Sequence, residues 1–354
     1  MHDYLKDYAE HFGVMEKIRF NSEVTELKPL FEPGKEDPKW EITTVDGEKT
    51  IFDMVCVCTG HLTKPVHVPE FQNEFTGIYM HSHDYKEPEP MIGKRVCVVG
   101  VGNSAVDVAS DVCVNTKRCV LVARSGVWIA PKMVFGVAFT DITDYINRPW
   151  VPAWLRKRLL LFLVWCVHGK PEKLGLPPAT ERVHATSSGT VVNDIAYRRI
   201  EVKHGIERIE GQTIYFTDGT SDEFDVLVAA TGYLIDLPFL SEDIVPRANN
   251  HIRLWKRIIP PEWPGLYFIG MLNVVTHSNP LAYEYQIRWL REFILGKAVA
   301  PSIDEMNKDN DAKDRYIAKE FKQTIRHTIE EECVRYFPEL DRALKAARRR
   351  ANRR

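Results

Sequence analysis

Residues 75–110 read FTGIYMHSHDYKEPEPMIGKRVCVVGVGNSAVDVAS, and the reading of this stretch decides the fold. Val96 to Val99 is a short apolar run. Gly100 and Gly102 form a Gly-rich turn, and Asn103, Ser104 and Ala105 begin a helix with small residues. Placed after a strand and opening a helix, this turn has the form of a dinucleotide site. Gly100 permits the tight corner, and Gly102 has no Cβ to block a pyrophosphate. Ala105 stands where a third glycine often keeps helix against strand. The helix N-terminus offers free N–H groups and a partial positive charge to phosphate. A plain strand–turn–helix corner is the alternative, with Asn103 and Ser104 then serving as a helix N-cap pair.

The next strand indicates which dinucleotide. Arg118 to Ala123 is apolar and β-branched, and it ends in Arg124-Ser125. An NAD site places an acidic residue about 20 positions beyond the glycines for the ribose hydroxyls. Here the charge is reversed, which suits the 2′-phosphate of NADPH. A solvated strand end would also account for Arg124.

Composition sets the outer limits. The chain has 354 residues, 44% hydrophobic and 27% charged, with a net charge of −2, so nucleic acid is not expected as a partner. Seven cysteines, several inside apolar strands, suggest buried thiols in a reducing compartment. Cys56-Val57-Cys58 is not CxxC and favours neither a redox disulfide nor a zinc site. The opening residues are charged and aromatic, unlike a secretory signal. Leu159 to Val167 is too short to span a bilayer; the expectation is a buried or interdomain helix, with a membrane-surface helix after Arg156-Lys157-Arg158 as the alternative. Residues 345–354 are rich in Lys and Arg and read as a frayed, solvated helix end or an anionic-membrane contact.

The chain also repeats itself. Asp46-Gly47, Phe52-Asp53 and Thr59-Gly60 recur as Asp218-Gly219, Phe224-Asp225 and Thr231-Gly232 at the same offsets. Each copy reads as a β-hairpin followed by a buried strand that ends in a glycine turn. The second copy has its Gly-rich turn upstream at Gly100. Residues 1–45 contain no GxG, and Tyr4 to Phe12 (helix) and Ile18 to Leu27 (strand) leave no room for a βαβ unit. The chain therefore reads as N-terminally truncated relative to its own architecture.

These residues resemble the flavin-containing monooxygenases, which oxygenate soft nitrogen and sulfur centres with FAD and NADPH. Phe75-x-Gly77-x-x-x-His81-x-x-x-Tyr85 is similar to the identifying motif of that family. Tyr85 stands where Baeyer–Villiger enzymes carry Trp. Gly100-Val-Gly102-Asn103-Ser104-Ala105 resembles the NADPH turn, Ala230-Thr231-Gly232-Tyr233 the ATGY motif, and Cys58-Thr59-Gly60-His61 a first copy of it. Gly265 to Gly270 and Pro280-x-x-x-Glu284-x-Gln286-x-Arg288-Trp289 resemble the segment that returns to the flavin. The likeness runs over roughly residues 1–300. The family's first GxGxxG, its second glycine cluster and its Asn-bearing flavin loop have no counterpart in the chain.

The resemblance implies an α/β flavoprotein with two dinucleotide-binding domains. An NADPH domain at 89–221, carrying a Pro-rich aromatic insertion at 126–190, would be inserted into an FAD-type domain formed by 1–88 and 222–300. A charged helical extension would follow at 301–354. It implies oxygen transfer from a C4a-hydroperoxyflavin to a small amine or sulfide, with O2 as co-substrate, in the manner of dimethylaniline monooxygenases. It implies cofactor contacts from Gly100, Gly102, Asn103, Ser104, Ala105, Arg124, Ser125, Thr59, Thr231 and Gln286, with no metal and no acid–base pair. His81 and Tyr85 would couple the domains, and Trp128, Trp150, Trp154 and Trp165 belong to the insertion. Location in the cytoplasm or on the cytosolic face of an internal membrane, membrane-surface association and homo-oligomerisation complete the expectations. The rival reading is a non-catalytic form that keeps NADP binding or a subunit-interaction role. A flavoprotein disulfide reductase is disfavoured by the absence of CxxC.

Overall fold

The computed structural model describes residues 2–34, 37–148, 150–179, 185–275, 278–321, 324 and 327–353; Pro149 of the insertion and Arg354 of the basic tail lie outside them. Helix α1 (His2–His11) buries none of its residues. The strand expected from Ile18 begins only at β1 (Val24–Pro29), because Asn21 takes φ +54° and breaks the extended run. β1 pairs antiparallel with β2 (Trp40–Thr44), and β2 with β3 (Lys49–Phe52), across a turn in which Gly47 has φ +84°. This three-stranded meander leads into β4 (Val55–Val57).

Next come β5 (Ile78–His81), β6 (Arg95–Val99), helix α2 (Asn103–Val112) and β7 (Arg118–Val122). The insertion holds α3 (Ala153–His168) and returns to β8 (Ile200–Lys203). A second meander, β9 (Ile206–Glu210), β10 (Thr213–Phe216) and β11 (Ser221–Glu223), precedes β12 (Val226–Ala229). The sheet order is β8-β7-β6-β12-β5, with every pairing parallel. Parallel strands are covered on both faces, which is why they read as continuous apolar runs. Ala105, Val106 and Ala109 of α2 cluster with Val96, Val98, Val226 and Val228 on one face. On the other face, Cys97, Val120 and Leu227 meet Ile214, Phe216 and Phe224 of the second meander.

β13 (Leu266–Phe268) pairs parallel with β4, over a core of Leu27, Trp40, Val57, Leu266 and Phe268. β14 (Asn273–Val274), α4 (Asn279–Ile294), α5 (Ile303–Glu320), β15 (Glu330–Glu331) and α6 (Cys333–Ala351) follow. α5 starts at a capping box between Ser302 and Glu305, which satisfies amides at its N-terminus.

Two expectations are corrected. The basic tail at 345–354 is solvated but not frayed: α6 stays helical to Ala351, Ala347 is fully buried, and Arg348 bonds Glu292 of α4 at 2.7 Å, while Lys345, Arg348 and Arg349 are exposed. A heptad-like apolar stripe in α6 finds a partner face on α4, so packing holds the charged helix. Conversely, α3 is not a buried helix. Phe162 is 56% and Trp165 48% exposed, and among its described side chains Val164 alone is buried. Apolar residues on every side cannot all be covered when the helix packs along one. Among the described residues no helix is long and apolar enough to cross a membrane.

Candidate cofactor site

The carboxyl ends of β6, β7 and β12 meet where the strand order turns back on itself, the position at which open α/β sheets bind ligands. Gly100 has φ +126°, and a Cβ there would lie 2.5 Å from the carbonyl oxygen of Ala230, so only glycine fits. Its amide donates to the carbonyl of Val122, which ties the turn to the end of β7. Gly102 is the N-cap of α2 in an extended conformation and has no side-chain cap bond. Asn103 and Ser104 are therefore not the N-cap pair. Both are exposed in the first turn, while Ala105 is fully buried against the sheet.

Asn103 is partly spoken for, since its Oδ1 accepts from the amide of Ser187 at 2.9 Å. The Thr186 hydroxyl donates to the carbonyl of Val101 at 2.8 Å. The insertion thus closes over the Gly-rich turn, a contact across some eighty residues that no local pattern announces. Arg124 and Ser125 are exposed just past β7, and Arg124 makes no ion pair with any described residue. A free guanidinium beside a helix N-terminus is an anion-binding arrangement.

The motif at 75–85 is structural in its contacts. Phe75 is buried, and a Cβ on Gly77 would lie 2.7 Å from the carbonyl oxygen of Asp225. His81 is fully buried at the end of β5, where burial pushes its pKa down and its Nδ1 accepts from the amide of His83. Tyr85 donates to Asp111 on α2 at 2.5 Å, and burial and that carboxylate raise its pKa. These residues bind the connector to the helix that follows the Gly-rich turn.

The second cleft lies at the ends of β4 and β13. Thr59 is exposed there, whereas the Thr231 hydroxyl is engaged by the carbonyl of Val66. Burial lowers the His61 pKa, so the neutral ring donates from Nδ1 to the carbonyl of Gly270 at 3.2 Å. Gln286 is fully buried; its Oε1 accepts from the amide of Gly270 and its Nε2 donates to the hydroxyl of Tyr336. Both ends of that amide are used within the chain. Glu284 and Arg288, on either side of it in sequence, pair with each other on the exposed face of α4.

The two copies of the repeat differ in how their strands are covered. Counting back from Thr59 and Thr231, Cys56 occupies the place of Val228, and Val57 that of Ala229. Val57 is buried under its meander, as Ala229 is. Val228 is fully buried under α2, but Cys56 and Cys58 are exposed. Among the described residues β4 has one strand partner, β13, whereas β12 has two. Cys56 and Cys58, read as having no special pairing, stand with their sulfurs 3.6 Å apart. Among the described residues no group of three or more His, Cys, Asp or Glu could hold a metal.

A family model described as FMO-like, flavin-binding monooxygenase-like, matches residues 1–349. The chain belongs to this family. The human flavin-containing monooxygenase 5 is 32% identical over 368 residues, covering 96% of this chain and 66% of that protein. The chain thus spans just under two thirds of the curated relatives it matches. Among solved structures, the S-allyl-L-cysteine S-oxygenase of Allium sativum covers 99% of this chain and 68% of its own, with TM-score 0.65 and 23% identity. Cyclohexanone monooxygenase from Rhodococcus sp. Phi1 bound to NADP+ aligns with TM-score 0.67 and 15% identity over 98% of this chain and 82% of its own. The shared fold is that of flavoproteins with two dinucleotide-binding domains.

Proposed function

We propose that this family member is part of an NADPH- and FAD-dependent monooxygenase acting on nucleophilic nitrogen or sulfur in small molecules. The observation that carries the reading is the Gly100–Ala105 turn with Arg124 exposed and free of described partners beside it. NADPH fits there: the pyrophosphate against the amides at the start of α2, the 2′-phosphate against Arg124 and Ser125. Asn103 and Ser104 flank the nicotinamide side. Flavin, when bound, supplies the oxygen-transfer chemistry, and the chain's task is orientation and exclusion of water. Thr59 and the Gly60 turn lie on the flavin side of the cleft, and Gln286 acts there by holding the amide of Gly270.

The domain limits of 89–221 for NADPH, and 1–88 with 222–300 for the flavin side, follow from the same reading. α6 and its neighbours extend that second body through 301–354. Location on a cytosolic membrane face and homo-oligomerisation remain proposals of the family likeness alone.

Isothermal titration with NADPH and NADH decides the nucleotide assignment. Arg124→Ala should weaken NADPH by about tenfold or more, the scale of a charge-assisted phosphate contact, and leave NADH unchanged. Equal losses for both nucleotides would sink it.

One observation favours a second reading, a form that binds NADPH without turning over. The face of β4 formed by Met54, Cys56 and Cys58 is exposed where its repeat counterpart is covered by a helix. A chain that stays colourless with added FAD, and whose NADPH oxidation is not stimulated by a tertiary amine or thioether, would support this form over the enzyme.

A further inference from the structure

Cys56 and Cys58 are two residues apart at the end of β4, so their side chains leave the same face. Their sulfurs lie 3.6 Å apart, and both residues are exposed. They open onto a hollow of about 300 Å³ walled by Ile287, Leu290 and Ile294, with Arg291 also on its lining. Cys166 is the third exposed thiol, and no sulfur pairs with it. Cys97, Cys113, Cys119 and Cys333 are buried.

We propose that Cys56 and Cys58 are a peroxide-sensitive dithiol, with Cys58 the nucleophile and Cys56 the resolving thiol. The two sulfurs are within hydrogen-bonding distance of each other. A hydrogen bond between them holds the Cys58 thiol down at about 7 against its burial, and the same bond pushes Cys56 up. A thiolate that is exposed and has a second thiol within reach is the arrangement of a redox-sensing pair.

The oxidant is a hydroperoxide. The Cys58 thiolate attacks its outer oxygen; an S–O bond forms, the O–O bond breaks, and the remaining oxygen leaves as alcohol or water after taking a proton. Cys58 is now a sulfenic acid. The Cys56 sulfur attacks it, the S–S bond forms, the S–O bond breaks, and the departing hydroxide takes the Cys56 proton as water. Two thiols and one hydroperoxide thus give a disulfide, one alcohol or water, and one further water.

The sulfurs must close from 3.6 Å to the bonded distance of about 2.05 Å. Residues two apart on a strand are about 6.6 Å apart at Cα, near the upper limit for a disulfide, so the bridge is a readily reduced one. β4 can yield because it is three residues long and laddered to β13 alone among the described residues. Closure draws Cys58 toward Cys56 and moves the Thr59-Gly60 turn with it.

The test exposes the full chain to hydrogen peroxide, quenches with an alkylating agent and reads peptides by mass spectrometry. The Cys56–Cys58 peptide should lose about 2 Da and recover it with dithiothreitol, at least about tenfold faster than Cys166 oxidises. Cys56→Ser should accumulate a dimedone-trapped Cys58, and Cys58→Ser should slow oxidation of Cys56 to the rate of Cys166. Both variants sit on the exposed face, and the Cys166 rate measured in each one serves as the internal reference. A pair that oxidises no faster than Cys166, or a Cys58→Ser variant that reacts at the parent rate, overturns the proposal.

Discussion

Gln286 donates from its side-chain amide to the Tyr336 hydroxyl at 2.8 Å, joining α4 to the tail helix through a buried hydrogen bond. The same hydroxyl donates to the carbonyl of Lys256 at 2.7 Å, and Gln286 holds the amide of Gly270 with its other end. One phenol therefore links the tail, α4 and the glycine turn after β13.

Tyr336→Phe keeps the ring and deletes this link, leaving a buried N–H and a buried carbonyl without their partner. The cost should be about 1–3 kcal/mol in urea unfolding, with an unchanged slope. A loss under a few tenths would mean water replaces the hydroxyl without penalty.

Gly100→Ala adds a Cβ at φ +126° and 2.5 Å from the Ala230 carbonyl, whereas Gly219→Ala at φ +80° meets nothing within 4 Å. The second change should cost about 1 kcal/mol, the ordinary strain of a left-handed residue. The first should cost several times as much and lower NADPH affinity, as read by denaturation and titration together. Equal effects would contradict the close approach of the turn to β12.

Much of this was legible because it is local. The strand, turn and helix at 95–112 and the two Asp-Gly meanders follow from short-range chemistry, with Gly100 and Gly47 in their left-handed corners. The occupation of Gln286 was not legible, since its partner Tyr336 lies 50 residues away and helical spacing says nothing of what a buried amide meets. Nor was the grip of Ser187 on Asn103, which depends on how the insertion folds back. The expectation of a buried α3 failed for a related reason. Apolar composition predicts a wish for burial, and the fold offers cover along one side only.

Glu339 sits where α6 meets α5, bonded by Lys313 at 2.8 Å and by Arg335 at 2.5 Å. Burial raises its pKa, and the two cations outweigh burial, so the folded value is lowered. A lowered carboxylate contributes stability above its unfolded pKa of about 4.3 and loses it as pH falls through the folded value. The urea midpoint of the parent should therefore fall more steeply below pH 4.5 than that of Glu339→Gln, which should already be weaker at about pH 7. Parallel pH profiles would show that the carboxylate's charge is immaterial.

In the native chain, a thiol reagent should modify Cys56, Cys58 and Cys166 and spare the four buried thiols until the protein unfolds. Burial raises Cys97 and Cys119, which removes both access and thiolate. Early labelling of Cys97 at the centre of the parallel sheet would mean that the sheet opens under native conditions.

The exposed flank of β4 has a practical consequence. Among the described residues β4 is laddered along one edge only, and an open strand edge beside the apolar wall of Ile287, Leu290 and Ile294 is adhesive, so the chain in isolation is prone to self-association there.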